Sequence, residues 1–169
     1  MSRARESDSL AAAAGRVARL LRGRGETVAV AESCTGGWLG RELTAEPGAS
    51  AVFWGGVIVY ANAAKRELAG VPAELLDAHG AVSEPVALSL AEGIRARAKS
   101  DWSVAITGIA GPEGGSEAKP VGTVWIAVAG QGGTTALQRQ LAGDREAVRA
   151  AAVDAALRDL LGRLDRSAP

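Results

Sequence analysis

The stretch from residue 27 to residue 43 constrains the fold more than any other part of the chain. Residues 27–31 alternate valine and alanine after a threonine, which predicts a short buried strand, and a turn containing Gly36 and Gly37 follows. Residues 38–43 then predict a helix. Strand–turn–helix units build α/β proteins, in which ligands bind beyond the carboxyl ends of parallel strands. The sequence therefore predicts an α/β fold with a functional site at this turn.

Hydrophobic periodicity and turn residues predict the remaining elements. Helices are expected at 9–22, 36–45, from a cap at Asn62 to 68, after Pro72, from a cap at Ser83 to 98, and from a cap at Asp144 to 164. Strands are expected at 51–60, as a single strand or a pair bent at two glycines, at 102–107, at 123–128 and, after a hairpin turn, at 135–140. This order predicts a three-layer α/β/α sandwich with a mixed, mostly parallel sheet. One domain is expected over residues 1–169, with flexible tails at 1–7 and 165–169.

The composition narrows the classes of partner. The chain has 19 basic and 19 acidic residues, so its net charge does not indicate binding to nucleic acid or to an anionic membrane surface. It shows no apolar leader and no run of about 18 apolar residues, so a cytoplasmic protein is expected. The single cysteine excludes an intramolecular disulfide and fits a reducing compartment. We therefore expect a small-molecule partner, with no nucleic acid and no membrane.

Two potential nucleophiles, Ser33 and Cys34, follow the first predicted strand. The glycines after them allow a ligand to approach the backbone, and a helix start supplies N–H groups for a developing oxyanion. Serine before a helix is also a common N-cap, so capping is an equal alternative for Ser33. For Cys34 the alternative is a small, buried and inert apolar residue, the usual state of a free cysteine.

A serine nucleophile needs a base, and the sequence offers few. The only histidine, His79, lies near a loop, where a structural role is more typical. Lys65 lies in the first turn of a predicted helix, where the macrodipole disfavours a cation. Desolvation and this dipole would both lower its pKa, as a lysine base requires; a solvated surface lysine is the alternative. Tyr60, at a strand end, would orient or relay a proton, or only pack.

The segment 107–122 is too long for a simple connection within a compact domain and is typical of a binding loop. Pro112 and Pro120 exclude the helix that a dinucleotide-binding fingerprint would open, and no Gly-Lys-Ser/Thr triplet supports a P-loop. Successive free N–H groups in this loop would form a cradle for an anion or a carbonyl group.

Arg145 and Arg149 lie four residues apart on one face of the last predicted helix. Arg145 is at the helix start, where an unpaired cation is unfavourable, so a bound phosphate would satisfy both the arginine and the helix N–H groups. Ion pairs with Asp144, Glu146 or Glu42 are the alternative.

Several blocks of sequence, in the same order, resemble the CinA C-terminal domain family. They are residues 31–37, 60–65, 79–85, 108–112 with 114–115, 119–124 and 143–145, and the resemblance spans about residues 8–164. It implies an α/β/α fold and nicotinamide-nucleotide amidohydrolase activity, in which water converts nicotinamide mononucleotide into nicotinic acid mononucleotide and ammonia. It implies no metal and no cofactor. Without the larger N-terminal domain of full-length CinA proteins, the chain resembles the stand-alone deamidase form.

The same resemblance implies roles for individual residues. Ser33 would be the nucleophile, Lys65 its base and Tyr60 an assisting hydroxyl. The resemblance also places Thr107 and the glycine loop (residues 107–122), with Gly108 and Gly111, near the substrate. Beyond the resemblance, we expect N–H groups of Cys34, Thr35 and Gly36 to hold the oxyanion and Arg145 to bind the nucleotide phosphate.

Two other functions stay open beside this one. The first is a non-catalytic nucleotide-binding or interaction module of the competence- and damage-inducible type. The second is a Ser-Lys amidase with another substrate. We also expect a homodimer, because the helices leave part of their apolar surface exposed.

Overall fold

A five-stranded mixed sheet lies at the centre of the protein. The computed structural model describes the backbone of residues 2–167 and the side chains of residues 10–167. Within that range the strands are β1 (Val28–Glu32), β2 (Phe53–Ile58), β3 (Trp102–Gly108), β4 (Thr123–Gly130) and β5 (Gly133–Gln140), in the order β2-β1-β3-β4-β5. β1 pairs in parallel with β2 and β3, and β4 is antiparallel to β3 and β5. Four strands thus run in one direction, and the expected mixed sheet is confirmed.

Helices cover both faces of the sheet, which confirms the three-layer sandwich. One face carries α1 (Ser2–Arg24), α2 (Trp38–Leu43) and α6 (Arg145–Arg166); the other carries α3 (Asn62–Ala69), α4 (Ala73–His79) and α5 (Glu84–Ala98). Because β1 is covered on both faces, it is buried at every position. No helix in residues 2–167 is both long enough and apolar enough to span a bilayer.

The two faces of the sheet differ in side-chain size. Valines and isoleucines of the central strands pack toward α1 and α6, whereas small residues face α5: Ala29, Ala31, Ser103, Ala105, Ala127 and Ala129. Such small side chains let α5 pack close to the sheet. α5 also packs closely on α3, since a Cβ on Gly93 would overlap the carbonyl oxygen of Ala69. This packing fixes the position of α3, the helix that carries Lys65.

The start of α3 and the second strand differ from the sequence predictions. β2 is a single strand, one of the two predicted alternatives, but it begins only at Phe53 because Ala49–Ala51 form a 3-10 turn before it. Asn62 is the first helical residue of α3 and not its cap. Ala61 holds the cap position in an extended conformation, without a side-chain hydrogen bond.

The other predicted caps are in place. Asp144 caps α6 and accepts a 2.9 Å hydrogen bond from the N–H of Ala147. Ser83 holds the cap position of α5, but its hydroxyl donates to the carbonyl of Gly80.

The expected flexible tails differ from the observed termini. α1 includes residues 2–7 and α6 includes residues 165–166, so these segments are helical. Met1, Ala168 and Pro169 lie outside the described residues.

Candidate active site

Ser33 lies immediately after β1, at the edge of the sheet where the parallel strands end. Its N–H donates to the carbonyl of Ile106 in β3 at 2.9 Å, so it continues the parallel ladder by one position. Side chains alternate along a strand, and Ser33 therefore faces the same layer as Ala29 and Ala31, that of α3 and α5. Its hydroxyl is buried beneath the helix that carries Lys65.

Lys65 contacts this hydroxyl directly. The lysine Nζ lies 3.2 Å from Ser33 Oγ, and it donates to the carbonyl oxygens of Val59 at 2.7 Å and Tyr60 at 3.2 Å. Only 1% of the residue is exposed, so the alternative of a surface lysine is wrong. Burial lowers the pKa of Lys65 below its usual value of about 10.5. In a neutral amine the two carbonyls take the two N–H groups, which leaves the lone pair facing Ser33.

Glu32, the last residue of β1, occupies the start of α2. Its buried carboxylate accepts four hydrogen bonds of 2.6 to 3.1 Å, from the hydroxyl of Thr35 and from the N–H groups of Gly37, Leu39 and Gly40. These donors and the positive end of the helix dipole stabilise the buried charge. The capping alternative for Ser33 is therefore wrong, because Glu32 satisfies the helix start.

The sequence interpretation missed this role of Glu32, and the correction changes which N–H groups a ligand can reach. The signal was present in the sequence, since an acidic residue directly precedes the turn and the helix. Gly36, expected to bind substrate through its N–H, instead donates to the carbonyl of Ser33 at 3.1 Å. Among the described residues, no oxygen accepts from the N–H groups of Cys34 and Thr35. Both N–H groups thus lack an oxygen partner within the described part of the chain, and Thr35 is fully buried.

Cys34 is a poor competitor for the role of nucleophile. The residue is 5% exposed, and burial raises the pKa of its thiol to about 11. Since the thiolate is the reactive form, a thiol that keeps its proton at neutral pH attacks slowly. The structure favours Ser33 over Cys34.

A cavity of about 230 Å³ opens at Ser33. It brings together eight of the ten predicted site residues: Ser33, Cys34, Tyr60, Lys65, Thr107, Gly108, Gly111 and Arg145. The remaining two, Thr35 and Gly36, line a neighbouring surface groove with Trp38 and Arg149. The strand ends, the start of α3, the glycine loop and the start of α6 thus meet at one site.

Thr107 lies beside Ser33 on the neighbouring strand. The register pairs Glu32 with Ile106, so Ser33 and Thr107 occupy the next adjacent positions. The buried hydroxyl of Thr107 donates to the carbonyl of Ala81 at 2.8 Å. Because a carbonyl oxygen can only accept, the hydroxyl proton is used there and Thr107 presents lone pairs to the cavity.

Arg145 joins three segments at the mouth of the cavity. Its guanidinium donates to the carbonyl of Gly111 at 2.7 Å and to the hydroxyl oxygen of Tyr60 at 3.0 Å. Tyr60 is 60% exposed, so this contact lies at the surface. The arginine therefore presents its charge where a ligand would enter.

Arg149 contacts the turn of residues 33–37 rather than the cavity. Its Nε donates to the carbonyl of Cys34 at 3.1 Å and its Nη2 to that of Thr35 at 3.0 Å. The guanidinium carbon lies 5.6 Å from the centre of the Trp38 ring, within cation–π distance. Backbone carbonyls accept from Arg149, in place of the carboxylates of Asp144 or Glu42 that were the alternative.

Other candidates from the sequence lie away from the cavity. His79 is exposed, and its carbonyl accepts a 2.7 Å hydrogen bond from Lys119, which ties the glycine loop to α4. Glu42 pairs with Arg41 and not with the arginines of α6. Within the described part of the chain, no cluster of three His, Cys, Asp or Glu residues could hold a metal ion.

Known proteins are similar to this chain in sequence and in fold. The sequence model of the CinA C-terminal domain family matches residues 10–164. The CinA-like protein of Anaeromyxobacter sp. (strain Fw109-5) is 60% identical over 141 residues, which cover 83% of this chain and 34% of that protein. The CinA-like protein of Synechococcus sp. (strain CC9902) is 61% identical over 129 residues, which cover 76% and 30%. The chain thus spans about a third of the length of these curated relatives.

Solved structures of related proteins have a similar fold. The competence damage-inducible protein A of Klebsiella pneumoniae subsp. pneumoniae MGH 78578 matches with a TM-score of 0.91 at 40% identity, over 94% of this chain and 99% of that one. The competence/damage inducible protein CihA of Agrobacterium tumefaciens matches with a TM-score of 0.88 at 40% identity, over 93% and 96%.

Proposed function

The chain belongs to the CinA C-terminal domain family, and we propose that it is a nicotinamide-nucleotide amidohydrolase that uses a Ser-Lys acyl-enzyme mechanism. The reaction converts nicotinamide mononucleotide and water into nicotinic acid mononucleotide and ammonia. The observation that carries the proposal is the 3.2 Å contact between Lys65 Nζ and Ser33 Oγ in a buried site.

Lys65 acts as the general base of the first step. Its lone pair takes the Ser33 proton as Oγ attacks the carboxamide carbon, and the π electrons of the C=O bond move to its oxygen. The lowered pKa of Lys65 supports this role, because burial favours the neutral amine that can accept a proton. The N–H groups of Cys34 and Thr35 hold the resulting oxyanion.

The same lysine completes the reaction. Protonated Lys65 gives its proton to the carboxamide nitrogen, and ammonia leaves as the C–N bond breaks. An ester between Ser33 and the ring carbonyl remains. Neutral Lys65 then takes a proton from water, whose oxygen attacks the ester carbon, and the proton returns to Ser33 Oγ as the acid product is released.

The rest of the cavity suits the remaining parts of the nucleotide. Its walls include Ala81, Val82 and Ile109, which are apolar surfaces for the pyridine ring. Glu113, also in the wall, supplies a negative charge for the positively charged ring nitrogen. Arg145, the cation at the mouth, is the proposed partner of the 5′-phosphate.

One assay tests the proposal. Purified protein is incubated with nicotinamide mononucleotide, and ammonia and nicotinic acid mononucleotide are measured. Ser33→Ala and Lys65→Met are each expected to reduce the rate at least about a thousandfold. Lys99→Met, which removes an exposed lysine at the end of α5, is the matched control and keeps the wild-type rate.

The outcomes distinguish the alternatives. Full activity of Ser33→Ala would remove Ser33 as the nucleophile. Binding of the nucleotide without ammonia release would instead support a non-catalytic nucleotide-binding module. Ammonia release from another amide, but not from this nucleotide, would support a Ser-Lys amidase with another substrate.

Assembly as a homodimer is also a proposal. β2 lies at the edge of the sheet and exposes Trp54 and Ile58, each 54% exposed, as an apolar surface that a second copy would cover. Light scattering after size exclusion gives the mass in solution. A monomeric mass at micromolar concentration would contradict it.

A further inference from the structure

Arg149 reaches the turn of residues 33–37 from the helix layer opposite to the one that carries Lys65. α6 packs on the sheet face that carries α1 and α2, whereas Ser33 and Lys65 face the layer of α3 and α5. From that opposite side the guanidinium donates to the carbonyls of Cys34 and Thr35 at 3.1 and 3.0 Å. The Trp38 ring lies beside the guanidinium and limits its movement.

Peptide geometry transmits this contact to the N–H of Thr35. In a planar trans peptide the C=O and the following N–H point in opposite directions. The carbonyl of Cys34 points to Arg149, so the N–H of Thr35 points away from that guanidinium. No described residue accepts from this N–H. It is a donor fixed in direction and without a partner.

The neighbouring N–H groups of the turn are already used. That of Ser33 donates to Ile106, that of Gly36 to the carbonyl of Ser33, and that of Gly37 to Glu32. An oxyanion at Ser33 therefore depends on the N–H groups of Cys34 and Thr35. The peptide that supplies the second of these donors is the one that Arg149 contacts through Nε.

We propose that Arg149 is a positioning residue of acyl transfer, which orients and polarises the Cys34–Thr35 peptide so that the Thr35 N–H stabilises the oxyanion. The positive guanidinium draws electron density toward the carbonyl oxygen, which strengthens the N–H as a donor. Arg149 touches neither the substrate nor Ser33. The inference rests on the proposed function for its choice of substrate, but its chemistry requires only an activated Ser33.

Arginine suits this role better than lysine. The planar fork spans two successive carbonyl groups, whereas an ammonium is a point donor that cannot hold both in the same geometry. Arg149→Lys therefore keeps a cation beside Trp38 but loosens the peptide. Arg149→Met keeps most of the packing and removes both hydrogen bonds.

The experiment compares Arg149→Met, Arg149→Lys and Arg149→Ala with the wild type in two assays. The first measures kcat and KM with nicotinamide mononucleotide. The second measures the rate at which a phosphonofluoridate labels Ser33: Oγ forms a bond to phosphorus, fluoride leaves, the serine proton passes to Lys65, and the P=O oxygen takes the place of the oxyanion. Arg158→Met is the matched control, because this α6 arginine pairs with Asp154 on the surface.

Loss of one oxyanion donor costs about 100- to 1000-fold, so a misdirected and weakened donor is expected to lower kcat and the labelling rate about 10- to 100-fold in Arg149→Met. KM stays within about twofold of the wild-type value. The pH midpoint of the rate stays within about 0.3 pH units of that of the wild type. The kcat and labelling rate of Arg149→Lys fall between those of Arg149→Met and those of the wild type. Added guanidinium restores part of the rate of Arg149→Ala, and Arg158→Met behaves as the wild type.

Other results overturn the inference. A higher KM with unchanged kcat in Arg149→Met would mean that the arginine binds substrate, and unchanged rates would mean that the peptide does not need it. If Arg149→Met unfolds, the rate of Arg149→Lys decides. A folded Arg149→Lys protein that reacts at the wild-type rate would contradict the requirement for the two-pronged guanidinium. If the wild type releases no ammonia, the proposed function fails, and the labelling rates alone test Arg149. A wild type that is neither labelled nor active would overturn both proposals.

Discussion

Lys65 Nζ lies 3.2 Å from Ser33 Oγ, and its other hydrogen-bond partners are two neutral carbonyl oxygens rather than a carboxylate. A buried ammonium without a counter-charge loses its proton more easily than one in an ion pair, because no opposite charge offsets its lost hydration. The contact therefore supports the proposed pairing of a base with its nucleophile, and it differs from a structural ion pair of lysine.

The rate of ammonia release is expected to rise with pH through the lowered pKa of Lys65. The base acts in its neutral form, so the acidic limb of the kcat/KM profile reports the pKa of this lysine in the free enzyme. Burial moves that limb below the usual value of about 10.5. A profile of kcat/KM against pH checks this. A midpoint at or above the usual lysine value would contradict a buried base.

The same shift predicts a change of stability with pH. Between the lowered folded-state pKa and the usual value of about 10.5, the unfolded chain binds a proton that the folded chain does not. Stability therefore rises with pH in this window, and below it the full penalty of burial applies. The free energy of unfolding of the wild type relative to Lys65→Met should increase as the pH rises toward the usual lysine value of about 10.5 in urea titrations. Lys99→Met, at an exposed lysine, should show no such trend relative to the wild type.

Cys34 is expected to be dispensable for the chemistry. With a pKa of about 11, only about one thiol in a thousand is ionised at pH 8. Cys34→Ala should therefore keep kcat within about threefold, with a loss of stability of about 1 kcal/mol from the removed buried sulfur. Iodoacetamide should alkylate the folded protein far more slowly than the urea-unfolded chain. Rapid alkylation that abolishes activity would reassign the nucleophile.

Local pattern was sufficient to predict most of the fold and part of the site. The elements follow from hydrophobic periodicity and turn residues, and the apolar residues 28–31 of β1 already require cover on both faces. Lys65 could be singled out because a cation in the first turn of a helix is unfavourable in any fold. Its 1% exposure agrees with that local argument.

The parts that could not be predicted depend on contacts between distant segments. Arg149 meets the carbonyl of Cys34 across 115 positions, and no periodicity in either segment indicates that contact. The hydrogen bond from Thr107 to Ala81 likewise requires the segment between α4 and α5 to pack over the end of β3. Glu32 is different, because its partners lie within eight residues and the acidic residue before a helix start could have been recognised.

Removal of the Glu32 carboxylate is expected to damage both stability and activity. Glu32→Ala leaves four donors at the start of α2 without their acceptor, and each buried unpaired donor costs about 1–3 kcal/mol before relaxation or water entry. We expect a loss of about 3 kcal/mol or more in chemical denaturation. A more than tenfold lower kcat should follow, because the turn that carries Ser33 loses its anchor.

Glu42→Ala is the control for this variant, since it removes another largely buried carboxylate from the same region. Its partners are an exposed guanidinium and the indole N–H of Trp38, so the expected loss is only about 1 kcal/mol. Equal losses for Glu32→Ala and Glu42→Ala would show that the four hydrogen bonds do not set the stability of the turn.

Thr107 is expected to separate the amide substrate from the acid product. Its hydroxyl proton is used by Ala81, so the cavity receives lone pairs that can accept from the carboxamide N–H₂ but not from a carboxylate. Thr107→Val should weaken binding of nicotinamide mononucleotide roughly 3- to 10-fold, the worth of one neutral hydrogen bond. Affinity for nicotinic acid mononucleotide should stay the same or rise, because an acceptor that repels the carboxylate is gone.

The ratio of product inhibition constant to substrate KM is the decisive measurement for Thr107. The lost contact with Ala81 would disturb the binding of both nucleotides alike, so a purely structural role leaves this ratio unchanged in Thr107→Val. Thr107→Ser restores both the donor and the lone pairs and should return the ratio to that of the wild type. If kcat falls in Thr107→Val while the ratio is constant, the hydroxyl turns its proton from Ala81 to the oxyanion during the reaction, because loss of a transition-state contact lowers kcat without changing the discrimination between bound ground states.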